Sequence, residues 1–396
     1  MRILHVVTAF PRTPDDVIVP WLVELLRRLR AAGYGIEVFT SAYRGGGPDQ
    51  YDGLPVHRFR YAPARWEDLT HDEAAPDRLK RSWRYRLLAV TYVVGGAWGV
   101  WRLCRRQSYD VVHVHWAMPH ALFGWIARWT CRARIVTTFY GVELRWTRSR
   151  LGPLRWMIRR AARSSDRAVA ISRSTQADVQ QLGRLDVLVI PYGVGIAAEP
   201  RTTTPGSGTP FTILFVGRLV ARKGVEVLLR ALSRMAPQLD ARAVVVGEGP
   251  ELEPLRALAA HVGVASRVTF TGRIAWDALA SAYRTASVVV LPAVLDDRGD
   301  TEGLGVVLLE AMQLGVPVVG SDLGGIPDIV EHETSGLLVP SGDADALAAA
   351  LVRLAQDPAL AARLGEAGRI RATELFGWPA VVSRWRQVYD GLRRAL

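Results

Sequence analysis

The same strand and helix grammar is written twice along this chain, and that doubling restricts the fold more than any single motif does. In the first half the apolar runs ILHVVTAF, IEVFTS, VVHVHW, ARIVTTFYG and AVAIS alternate with helical patterns such as PWLVELLRRLRAAG and ALFGWIARW. Apolar strands separated by helices predict parallel βαβ units whose sheet is covered on both faces. Within residues 20–32, Trp21, Leu22, Leu25, Leu26 and Leu29 fall at helical spacing opposite Arg27, Arg28 and Arg30, and Gly33 supplies a stop. The second half repeats the pattern with FTILFVGRL, VEVLLRALSRM, ARAVVVGEG, RVTFTGRI, SVVVLPA and VPVVGSD.

Between the halves, residues 197–210 are rich in Pro, Thr, Gly and Ser and lack hydrophobic periodicity, which marks a linker. The chain therefore divides into a domain at 1–196, the linker, a domain at 211–377, and a terminal helix at 378–396 suited to crossing back onto the first domain. The fold class is α/β, with two doubly wound, Rossmann-like domains facing a central cleft where the carboxyl ends of their strands gather ligands.

The 50 basic residues outweigh 38 acidic ones, giving +12 at neutral pH, a charge that suits nucleic acid, an anionic membrane or a phosphorylated substrate. All but two of those cations are Arg, so Lys80 and Lys223 stand out as local choices. Cys104 and Cys131 are the only cysteines and lack metal-ligand spacing, which predicts no disulfide framework, no zinc site and a reducing compartment. The opening MRILHVVT reads as a first strand and not as a signal peptide.

Two places carry phosphate and sugar chemistry. In Glu302-Gly303-Leu304-Gly305, glycines precede an apolar helical stretch, so backbone N–H groups at the helix start can meet a phosphate. Glu302 itself would repel that phosphate and is better matched to sugar hydroxyls. Glu310 follows eight residues later, a rise of about 12 Å if the stretch is helical, so one acid could serve each sugar of a nucleotide sugar. The bland alternative is a capping acid at Glu302 and a solvent-facing Glu310. The second place is FVGRLVARKG at 215–224, where Arg218 and Lys223 follow a strand and can neutralise a diphosphate; a Walker A loop is excluded.

Together with GGIPDIV at 324–330, SGLLVP at 335–340 and IPYGVG at 190–195, these motifs resemble the retaining glycosyltransferases of family 4, which have the GT-B fold. The resemblance spans nearly the whole chain. It implies that Arg218, Lys223, Leu304 and Gly305 bind the donor diphosphate, Glu302 and Gly303 the donor sugar, Glu310 the ribose, and Arg273 and Ile274 the base. It also implies a nucleoside diphosphate sugar as co-substrate, with no cofactor; no metal is expected either, since no DxD-type acidic pair is positioned to hold one, although Asp296 and Asp297 are acidic neighbours. The first domain departs from the pattern. Tyr140, in TTFYGVE, replaces the family's His, and a phenol with a usual pKa near 10 is a weak base. His113 and His115 share one strand face, with His115 the candidate for the acceptor side and core packing the alternative. The glycine-rich loop of many relatives is replaced by residues 10–16, FPRTPDD, candidates to meet acceptor or donor. The expected catalytic groups are Glu302, His115 and Tyr140.

Residues 87–101 form an uncharged run flanked by Arg, too short to span a bilayer but able to lie at its interface, or to serve as a buried crossover helix. The expected function is hexosyl transfer, with retention, to a hydroxyl of a lipid-linked or surface glycan. It is placed in the cytoplasm or on the inner membrane face, with an anionic membrane surface as a further partner and nucleic acid disfavoured. Two rival readings are a nucleotide-sugar epimerase on the same scaffold and a non-catalytic membrane or nucleic-acid binder.

Overall fold

The structure is a computed structural model that describes residues 1–16, 18–71, 75–144, 152–183, 185–195, 210–235, 239–297 and 299–393. The chain divides into two compact units. The first comprises Met1–Ile171, Thr175–Ile190 and Val382–Leu396, and the second Ser172–Ser174 and Pro191–Val381.

In chain order the first half contains β1 (Arg2–Val6), α1 (Pro20–Ala31), β2 (Gly35–Ser41), β3 (Gln50–Tyr51), β4 (Leu54–Phe59), α2 (Ala75–Arg81), α3 (Trp83–Arg106), β5 (Val111–His115), α4 (Ala117–Cys131), β6 (Arg134–Phe139), α5 (Gly152–Ser164), β7 (Arg167–Ala170), α6 (Arg173–Gln180) and β8 (Val187–Val189). Among the described residues its strands form one sheet in the order β3-β4-β2-β1-β5-β6-β7-β8, parallel except for the β3–β4 hairpin. Every residue of β5 is buried, as expected for a central strand covered on both faces. Helix α1 buries Leu22, Leu25, Leu26 and Leu29, and Gly33 then turns the chain at φ +93°. Cys104 and Cys131 are free thiols.

The second unit contains β9 (Phe211–Val216), α7 (Val225–Arg234), β10 (Ala241–Val246), α8 (Leu252–His261), β11 (Val268–Gly272), α9 (Trp276–Thr285), β12 (Val288–Leu291), α10 (Val306–Gln313), β13 (Val318–Ser321), α11 (Ile326–Ile329), β14 (Leu337–Val339), α12 (Ala344–Gln356) and α13 (Pro358–Arg371). Its described strands run β11-β10-β9-β12-β13-β14, all parallel. The direction of strand addition reverses beside β9, so the loops after β9 and β12 flank the switch point where open α/β sheets hold ligands. A final helix, α14 (Trp378–Arg393), follows; its residues from Val382 on belong to the first unit.

The domain boundary differs from the expected end of the first domain at residue 196. Residues 191–195 belong to the second unit because they are built around Trp378. A Cβ on Gly193 would lie 2.3 Å from Trp378 Cε3, and one on Gly195 2.7 Å from Trp378 Cδ1. Val194 N–H donates to the Phe376 carbonyl at 3.0 Å, and Gln313 Nε2 donates to the Val194 carbonyl at 2.7 Å. The glycines of IPYGVG thus seat an indole. Apart from Pro210, the expected linker at 197–210 lies outside the described residues.

Gly193→Ala should cost about 1–3 kcal/mol by overpacking against Trp378. Calorimetry should show a melting transition several degrees lower, whereas an unchanged transition would mean that the indole has room to move.

Candidate active site

Of the expected donor-side residues, Arg218 and Lys223 follow β9, Glu302, Gly303, Leu304 and Gly305 lie between β12 and α10, and Arg273 and Ile274 follow β11. Glycine follows β9 and β10 directly and ends β11, and the three ends are cross-linked by backbone. Gly217 N–H donates to the Val246 carbonyl and Gly247 N–H to the Gly272 carbonyl, each at 3.0 Å. Gly247 sits at φ +140°, and a Cβ there would fall 1.9 Å from the Gly217 oxygen, so only glycine fits. The next turn is pinned too. At Gly224, φ is +68° and a Cβ would meet the Pro292 oxygen at 1.8 Å, while Val294 N–H donates to the Arg222 carbonyl at 2.9 Å. The loop carrying Arg218, Arg222 and Lys223 is thereby pressed against the loop that leads to Glu302.

Lys223 Nζ donates to Glu302 Oε2 at 2.5 Å, and Arg222 Nη1 lies 3.4 Å from the same oxygen. Arg222 also faces Asp300 at 3.6 Å. Burial by itself pushes the Glu302 carboxyl upward; the charge and hydrogen bond of Lys223, with Arg222 and the Gly305 N–H, outweigh it and hold the pKa below the usual value. Glu302 is therefore an anion just ahead of the start of α10, where Gly305 adopts φ +91°. Behind it, Gly325 N–H donates to the Glu302 carbonyl at 3.2 Å, and Cβ atoms on Gly324 and Gly325 would meet the oxygens of Glu302 and Gly303 at 2.2 and 2.1 Å. The glycine pair of GGIPDIV is what lets the Glu302 loop close down.

Glu310 does not face solvent. Its Oε2 accepts from Tyr283 Oη at 2.6 Å, and burial raises its pKa although Tyr283 and Lys223 pull it down. The expected 12 Å helical rise between the two acids is corrected, because residues 302–305 are not helical and α10 begins at Val306. Lys223 pairs with Glu302 and is near enough to Glu310 for its charge to act on both carboxyls. Its three N–H groups can serve Glu302 and a phosphate at once. That removes the expected repulsion at Glu302.

Arg218 is exposed and has no ion-pair partner among the described residues. Leu304 is buried, so what it can offer a ligand is backbone. Gly303 contributes backbone to the same loop. Arg273 is exposed and lies 4.0 Å from Glu248, while Ile274 packs partly into the core after Gly272 turns the chain at φ +69°. Asp296 turns its own loop by accepting from Asp300 N–H at 2.8 Å. Sequence reasoning missed Arg222 and Tyr283. Arg222 was visible as the neighbour of Lys223, but nothing local links Tyr283 to an acid 27 residues later.

The first unit holds the other expected catalytic residues, His115, the candidate for the acceptor side, and Tyr140, the candidate to donate to a donor-sugar hydroxyl or phosphate. Both side chains are buried and spent on one another, with His115 Nδ1 and Tyr140 Oη 2.6 Å apart. His115 Nε2 lies 3.0 Å from His5 Nδ1, and Tyr140 stacks on Trp116 with centroids 4.4 Å apart. His113 pairs with Tyr389 Oη and Thr138 Oγ1, each at 2.7 Å. Ring nitrogens of His5, His113 and His115 lie within 4.8 Å of one another, a spacing open to a metal ion. All but His5 Nε2 are engaged in hydrogen bonds, so the three rings form a packed network. Residues 10–16 fold back on this unit as well, with Asp16 pairing with Arg12 at 3.2 Å and His71 at 3.0 Å.

These features define a nucleotide-sugar transferase architecture, and comparisons with known proteins agree. Residues 201–371 match the model of glycosyl transferases group 1, and residues 19–193 that of the glycosyl transferase 4-like domain. A GDP-mannose-dependent alpha-(1-6)-phosphatidylinositol monomannoside mannosyltransferase of Mycolicibacterium smegmatis is 34% identical over 74% of this chain and 80% of its own. A D-inositol 3-phosphate glycosyltransferase of Streptomyces bingchenggensis is 30% identical over 93% and 83%. Among solved structures, the sucrose-phosphate synthase of Thermosynechococcus elongatus superposes with a TM-score of 0.77 at 24% identity over the full length of both chains. A lipopolysaccharide outer core galactosyltransferase does so at 0.75 and 17%, over 99% of each. The chain belongs to the family 4 glycosyltransferases and has the GT-B fold. It is a nucleotide-sugar-dependent transferase, and neither the epimerase nor the non-catalytic reading is favoured.

The buried imidazoles predict acid sensitivity. Burial lowers the His5 pKa from 6.5 to about 3 and that of His120 to about 4, and pushes His113 and His115 well down. The unfolded chain binds these protons below about pH 6.5 and the folded protein refuses them, so stability is full above that pH and falls on acidification toward pH 3. The slope should reach about 1.4 kcal/mol per pH unit for each histidine. Urea midpoints between pH 7 and 5 should show the fall, and His5→Gln should flatten it.

Proposed function

We propose that the chain transfers a hexosyl group from a nucleoside diphosphate sugar to a hydroxyl of a membrane-lipid or lipid-linked acceptor, with retention of configuration and without a metal ion. The carrying observation is the Lys223–Glu302 pair at the start of α10, flanked by exposed Arg218 and by the Tyr283–Glu310 pair. As the glycosidic bond breaks, charge builds on the β-phosphate. Arg218, Lys223 and the N–H groups at the start of α10 are preorganised for it. Glu302, kept ionised by its cations, accepts from donor-sugar hydroxyls, and Glu310 accepts from the ribose. Arg273 and Ile274 border the base.

The mycobacterial relative's name makes GDP-mannose the first donor to test and a phosphoinositide the first acceptor. Work at a lipid acceptor fits an enzyme acting at the cytoplasmic face of a membrane. His115 and Tyr140 act together from below the surface: the buried imidazole orients the phenol and its loop, and takes no proton from the acceptor.

A panel of nucleoside diphosphate sugars should single out GDP-mannose by a raised melting temperature and by donor hydrolysis. Preference for a uridine diphosphate sugar would overturn the donor assignment. Glu302→Gln and Lys223→Ala should each lower turnover by about 100-fold or more while the fold is kept, the scale of losing one transition-state stabiliser. Near-normal transfer by both variants would sink the site. Product NMR reads the anomeric configuration, and transfer that survives chelators supports the metal-free reading.

A further inference from the structure

Helix α3 has two faces, and both are apolar. Leu88, Tyr92, Gly96, Val100 and Cys104, at four-residue steps, are buried. The glycines let this side close tightly: a Cβ on Gly96 would lie 2.2 Å from Phe123 Cζ, and one on Gly99 3.0 Å from Phe59 Cβ. On the other side stand Trp83, Leu87, Val90, Val94 and Trp98, exposed by 75%, 51%, 60%, 62% and 61%. At about 100° per residue these five fall within an arc of roughly 80°. A surface helix of a globular domain normally turns polar residues outward.

The charges sit only at the ends of this stripe. Residues 87–101 carry none; exposed Arg81 and Arg86 precede the run, and exposed Arg102, Arg105 and Arg106 follow it. No acidic residue occurs anywhere in α3. Helix α4 packs beside α3 and adds Trp129, 81% exposed, next to exposed Arg132. Helix α5 packs beside α4 and adds exposed Trp156 among exposed Arg155, Arg159 and Arg160.

We propose that α3 lies in the plane of an anionic bilayer surface, with its apolar stripe at the acyl boundary and its terminal arginines on lipid phosphates. Its 24 residues are long and apolar enough to cross a membrane. The buried face is committed to Phe59 and Phe123, however, so the helix docks instead of spanning. A second copy is a poor occupant, because parallel or antiparallel pairing of two such helices sets arginine against arginine. Indole and guanidinium groups at both ends of an apolar stripe match the headgroup layer.

The test is co-sedimentation of the full chain, without donor, with vesicles of phosphatidylcholine alone and of equimolar phosphatidylcholine and phosphatidylglycerol. This binding is read independently of the transfer reaction and stands or falls apart from it. The chain should bind the anionic vesicles, less so at high salt, with a blue shift of tryptophan emission. Val94→Glu, on the exposed face, should weaken binding by about 10-fold or more at an unchanged melting temperature. Arg102→Gln should weaken it by about fivefold, the worth of one cation at an anionic surface. If Val94→Glu does not fold, Trp98→Ser carries the same comparison. Equal affinity for both vesicle types, no affinity for either, or binding indifferent to the exposed-face variants would overturn the proposal. So would a dimer that Val94→Glu splits while vesicle binding stays the same.

Discussion

The ion pair between Lys223 and Glu302 is the interaction on which the site depends. A carboxylate at a helix start proposed to accept a diphosphate would compete with that ligand. A lysine at 2.5 Å changes that sign locally, and Arg222 reinforces it. The carboxylate then remains ionised in a buried setting, and the lysine keeps N–H groups for a second anion. Everything around the pair serves to hold two loops at the distance it requires: Gly224 under Pro292, Gly324 and Gly325 under the Glu302 loop, and the hydrogen bond from Val294 to Arg222.

The layered α/β architecture was legible because parallel strands covered on both faces are buried and mostly apolar throughout, as VVHVH and VVVL are. The glycine-rich turns were legible as places of close approach, although their partners were not. IPYGVG looked like a family signature; its physical content is a seat for Trp378, nearly two hundred residues later. Lys223 was legible through composition, as a lysine in a chain that otherwise uses arginine. Tyr283 was not, since a tyrosine in a helix signals nothing until the fold brings it to Glu310.

The first unit was harder to read because a histidine on a strand says only which side it takes. His113 and His115 share a side, as alternation requires, but whether that side meets substrate or core is decided by α14, whose Trp385 and Tyr389 close over His113. Tyr140, which stands where the resemblance implies a histidine, is itself buried and hydrogen-bonded to the His115 imidazole on the neighbouring strand.

The row of glycines at the ends of β9, β10 and β11 has a consequence for how such an enzyme can diversify. The floor under its donor loop is main chain and cannot be edited residue by residue, since a methyl group at Gly247 already collides with it. Selectivity for one base or one sugar must then be written on the rim, by exposed residues such as Arg273 that can drift without disturbing the frame. A lineage built this way inherits its phosphate chemistry almost unchanged and explores new substrates at the edges.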